Sequence, residues 1–126
     1  MSRILIVLVT LVLAACGDHR ESQGLFVFVR IPDPVLPIER GTKYEDPIGA
    51  SLLAAQLGEV TGGGTQMGRP KADGTSDIEW VGVDVQLSDG EAGLELLRQK
   101  LKELGAPKGT ILEYVRQGKT VEEKLW

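Results

Sequence analysis

Three groups of residues in this 126-residue chain are of types that could do chemistry: a glycine triplet inside GEVTGGGTQMG (Gly58 to Gly68), one histidine, and several carboxylates. A phosphate cradle works by converging bare amides on the anion, with a helix N-terminus immediately behind. The residues after Gly64, TQMGRPKADG, contain a proline and almost no apolar side chains, so no helix can start there. The spacing G-x-x-x-x-G-K-[ST] is also absent, and Arg69 and Lys71 nearby do not replace it. The glycines read instead as an edge strand kinked or bulged, or as a place where another backbone approaches.

His19 is the single histidine and stands three residues from Cys16, the single cysteine, in a polar stretch with no fixed geometry. Ser–His and Cys–His catalysis are excluded on that ground. Asp18 and His19 are two ligands where zinc needs three or four, so neither a metal nor a cofactor is expected. Of the acids, Asp33 and Asp77 fit turns, Asp46 and Asp89 fit helix starts, Glu45 belongs to a possible capping box, and Glu79 fits a solvent-facing strand position. Asp84 stands mid-strand, where an ion pair with Arg30 on the neighbouring strand is the expected role.

The start of the chain sets the compartment. MSRILIVLVTLVLAACGD has one arginine, a short apolar run and small residues ending at Cys16. The run is too short to span a bilayer and has the layout of an export signal. Leu13-Ala14-Ala15-Cys16 resembles the lipobox of bacterial lipoproteins, which implies cleavage after residue 15 and lipid on Cys16. Two or three acyl chains make a stable anchor where one does not. Gly17 after the cysteine implies, in an organism with two membranes, the outer one facing the periplasm. Without residues 1–15 the charge is 13 − 18 = −5, which opposes nucleic acid and anionic lipid as partners. The remaining 126 − 15 = 111 residues suffice for one domain.

The elements that must position these residues are set by periodicity. Residues 16–24 read as a tether, 25–116 as the domain and 117–126 as a charged tail. LFVFVRI (Leu25 to Ile31) is a strand, succeeded by a proline-rich segment expected to be extended over residues 32–46. A helix is announced by Thr42-x-x-Glu45 or by Asp46-Pro47, with Ile48, Leu52, Leu53 and Leu57 on one face and Gly58 at its end. Glu59 to Met67 is a weak strand, IEWVGVDVQL (Ile78 to Leu87) a strongly alternating one. Ser88-x-x-Glu91 opens a second helix lined by Leu94, Leu97, Leu101 and Leu104 and closed by Gly105, and residues 108–116 give a last strand. The expected fold is α+β, a ferredoxin-like βαββαβ sandwich: a four-stranded antiparallel sheet with two helices on one face.

Within that plan Phe26, Phe28, Arg30, Trp80, Asp84 and Tyr114 are candidates for an open sheet face that contacts a partner, and Asp33, Arg40 and Tyr44 for contacts from the long loop. The domain resembles uncharacterised small bacterial domains of the same pattern. It lacks the Cys-x-x-Cys of copper chaperones of this fold, the basic surface of RNA-binding modules and the arginine-bearing glycine loop of acylphosphatases. The expected function is a non-enzymatic, membrane-anchored protein-binding module, with inhibitor, immunity-like or envelope assembly roles. A dimeric small-ligand regulatory domain is the alternative, and a carboxylate-based hydrolase ranks last.

Overall fold

The structure is a computed structural model that describes residues 24–126; Cys16 and the segment expected to be an export signal lie outside the described residues. In strand β1 (Leu25–Ile31), Val27, Val29 and Ile31 are fully buried and alternate with Phe26, Phe28 and Arg30, so the strand has one core face and one open face. Strand β3 (Ile78–Leu87) does the same with Val81, Val83, Val85 and Leu87. These residues and Leu112 form the floor of a single core. Its roof is Ile48 and Leu52 from one helical stretch and Leu94, Leu97 and Leu101 from another, so both pack on the same side of the sheet. Each such side chain contributes about 1.5–3 kcal/mol by leaving water.

The expected four-stranded ferredoxin-like sheet is overturned. The sheet has five antiparallel strands in the order β2-β3-β1-β4-β5, with β2 (Gly58–Met67) and β5 (Lys119–Lys124) at the edges and β4 (Ile111–Arg116) inside; the class remains α+β. The fifth strand is made from residues expected to be a tail. Gln117 and Gly118 both adopt positive φ, 52° and 73°, the backbone of a two-residue hairpin turn that reverses β4 onto β5. Val121 and Leu125 then return to the core side, Leu125 being buried. Between them Glu123 Oε1 accepts from Arg98 Nε at 3.0 Å and pairs with Nη2 at 2.8 Å, which joins the new strand to helix α3 (Gly90–Glu103). Those hydrogen bonds hold the Arg98 guanidinium above its ordinary pKa, against the effect of burial.

The segment expected to be extended is helical. Helix α1 (Pro37–Arg40), a π-helical turn (Gly41–Glu45) and helix α2 (Asp46–Ala55) run on without a break. Pro37 is tolerated because it opens the helix, where its missing N–H is not needed. At the other proline the wide turn solves the problem: the Asp46 N–H bonds back to Gly41 O, carrying the chain past Pro47, which has no N–H to give. Neither Thr42 nor Asp46 therefore caps a helix start. Leu53, expected on the apolar face, is 74% exposed. Asp89, not Ser88, caps α3, accepting from the Glu91 and Ala92 amides at 3.1 Å each. Ser88 is spent elsewhere, its hydroxyl donating to Gln56 O.

Candidate interaction surface

The strand register fixes which side chains share the face away from the helices. One row across the sheet is Gly62, Asp84, Phe28, Glu113 and Glu122; the next is Gly64, Gly82, Arg30, Ile111 and Lys124. Trp80 extends the face along β3, and Phe26 and Val115 extend it the other way. Phe26 is 49% exposed and Val115 58%, for no described element covers them.

The centre of the face is built by a missing side chain. A Cβ on Gly82 would lie 2.6 Å from Cε2 and Cζ of Phe28, so the Phe28 ring lies across the glycine. There it meets Trp80 edge to face, with centroids 5.8 Å apart and planes at 77°. Arg30 sits with its guanidinium carbon 6.0 Å from the Trp80 ring centroid. The expected ion pair with Asp84 is not formed: among the described residues no salt bridge joins the two. Asp84 and Trp80 each stand one diagonal step from Arg30, and the guanidinium turns to the Trp80 ring instead.

Of the six residues expected on this face, five are there and Tyr114 is not. Tyr114 pairs with Val27 and is buried on the helix side. In Ile111-Leu-Glu-Tyr-Val-Arg both parities carry apolar residues, and the polar Glu113 was the signal that marked the open side. Glu113, Glu122, Lys124, Ile111 and Val115 were not anticipated; the last two and Glu113 follow from β4 parity, and Glu122 and Lys124 only from recognising β5. Two shallow depressions flank the centre. One of about 250 Å³ runs along Phe26, Phe28, Glu113, Val115 and Thr120, and one of about 340 Å³ is lined by Lys108, Gly109, Ile111, Lys124 and Trp126.

The three loop candidates serve the fold. Tyr44 is fully buried in the core, and its hydroxyl donates to Asp33 Oδ2 at 2.6 Å, an oxygen that also receives Lys43 Nζ at 2.6 Å. Burial works to raise the Asp33 carboxyl, but the bonds from Lys43 and Tyr44 outweigh it and hold it below the ordinary value. Burial and the bond to Asp33 push Tyr44 up to about 12, and Lys43 is raised chiefly by its bond to Asp33. Arg40 donates from Nε to Glu45 Oε1 at 2.9 Å and from Nη1 to Thr65 Oγ1 at 2.8 Å, bracing the π-helical turn against β2.

The glycine triplet lies under that brace. β2 is a strand with a register shift between Val60 and Gly62, and the next element is strand β3, not a helix. Gly63 faces the helices, where a Cβ would collide with Glu45 Oε1 and approach Gly82 O to 2.8 Å. Among the described residues no group of three or more His, Cys, Asp or Glu side chains converges as a metal site would require. No family model, curated protein or solved structure matches the chain.

Proposed function

We propose that this chain is a lipid-anchored protein of the bacterial envelope that acts by binding another protein molecule through the open face of its sheet, without turnover. The observation that carries the reading is the sheet face that no described element covers: an aromatic centre of Phe28 and Trp80, exposed Phe26 and Val115 beside it, and charges around them. Rings flanked by polar groups on a broad, shallow surface are what protein partners use as anchors. The resemblance of residues 13–16 to a lipobox supports the anchoring.

A photo-crosslinking amino acid placed at Phe26, on the open face, and at Leu53, exposed on the helix side, tests this in intact cells. The Phe26 position captures a protein and the Leu53 position does not. Equal capture at both positions, or none at Phe26, overturns the assignment of the face.

A further inference from the structure

The two central rows of the open face are of opposite sign. Asp84, Glu113 and Glu122 stand in one row with no cation, and Arg30 and Lys124 in the next with no carboxylate. Among the described residues none of these five forms a salt bridge within the chain. Adjacent rows of opposite sign on the same strands are the pattern a self-complementary surface requires.

A second copy turned onto the first about a two-fold axis that runs across the strands, between the rows, lays each strand over its own counterpart and each row over the other. Glu122 then faces Lys124 of the second copy and Phe28 faces Arg30, both contacts occurring twice. Asp84 comes over Gly82, which has no side chain to obstruct it. The other two-fold, running along β1, would set Asp84 over Glu113 and Arg30 over Arg30, like charge on like. Glu113 comes over Ile111, so the charge match is carried by Glu122 and Lys124, and of the two axes only the first pairs opposite charges without stacking like ones.

The area is compatible with a reversible pair. Five strands spaced about 4.8 Å apart, over about 20 Å of strand, make a footprint of roughly 500 Å² per copy. Both sides together come to about 1,000 Å², below the range of stable interfaces and within that of weak, reversible ones. We infer that the open face is an interface between two copies of this chain, packed sheet on sheet with Glu122 of each against Lys124 of the other. The inference rests on reading the face as a protein-binding surface, and it names the occupant.

Two differently tagged full-length copies, co-expressed and extracted in mild detergent, test it by co-purification. Wild type retrieves wild type. Glu122→Lys alone and Lys124→Glu alone each lower self-retrieval at least tenfold, because like charges then face one another. A Glu122→Lys copy mixed with a Lys124→Glu copy recovers it, since every pair is again opposite; this recovery also shows that both variants are folded. Absence of wild-type self-retrieval, indifference to the single changes, or failure of the mixed pair to recover overturns the inference. If that happens while the Phe26 crosslinker captures a protein other than this chain, the binding face stands and only its occupant changes.

Discussion

Gly63 is where packing, rather than ligand chemistry, explains the glycine triplet. Alanine there would drive its methyl into Glu45 and toward the Gly82 carbonyl, a backbone atom that cannot swing aside. Gly63→Ala should cost about 1–3 kcal/mol in urea unfolding. Gly64→Ala, with nothing within 4 Å of its Cβ, should be close to neutral and serves as the control. The Asp33–Tyr44–Lys43 cluster gives a second test, in pH. Tyr44 is raised from 10.0 to about 12, so its contribution is present below pH 10 and is lost as pH rises toward 12. Asp33 is depressed, so its contribution holds above its unfolded value of 3.8 and is lost as pH falls through the folded one. Urea midpoints should decline over the alkaline window in wild type and stay flatter in Tyr44→Phe. An ultraviolet titration showing Tyr44 ionising at its ordinary value of 10.0 would contradict the buried hydroxyl. None of this cluster was legible in the sequence, because Asp33 and Tyr44 meet only when a helix forms where prolines suggested extended chain.

At the scale of elements, the near-continuous apolar run of β1 and the alternation of β3 were enough to find both strands, and the leucines of α3 enough to find the helix. The misreadings share a cause: each turned on one local device that composition hides. A π-helical turn lets a helix run through Pro47, and a Gln-Gly turn does the work usually signalled by Asn-Gly or Asp-Gly. With four charged residues among Lys119, Thr120, Val121, Glu122, Glu123 and Lys124, β5 reads as solvent-borne, yet Val121 and Leu125 pack on the core. Leu125→Ala separates the two descriptions. Removing a buried leucine should destabilise the fold by about 2–5 kcal/mol in chemical denaturation, whereas a free tail would leave the midpoint unmoved.

At the scale of the whole molecule, the open-face aromatics were partly legible because Trp80 alternates with the valines of β3, and the opposed charge rows were not, because a row is defined by register across five strands. The proposed anchor is tested here as well. Cys16→Ser should move the protein from the salt-washed membrane fraction to the soluble fraction, and retention after that change would refute lipid attachment. Finally, the first described residues feed directly into β1, the middle strand of five, which is paired on both sides. A pull on Gly24 in line with β1 would load two ladders at once, in shear, instead of unzipping one bond at a time.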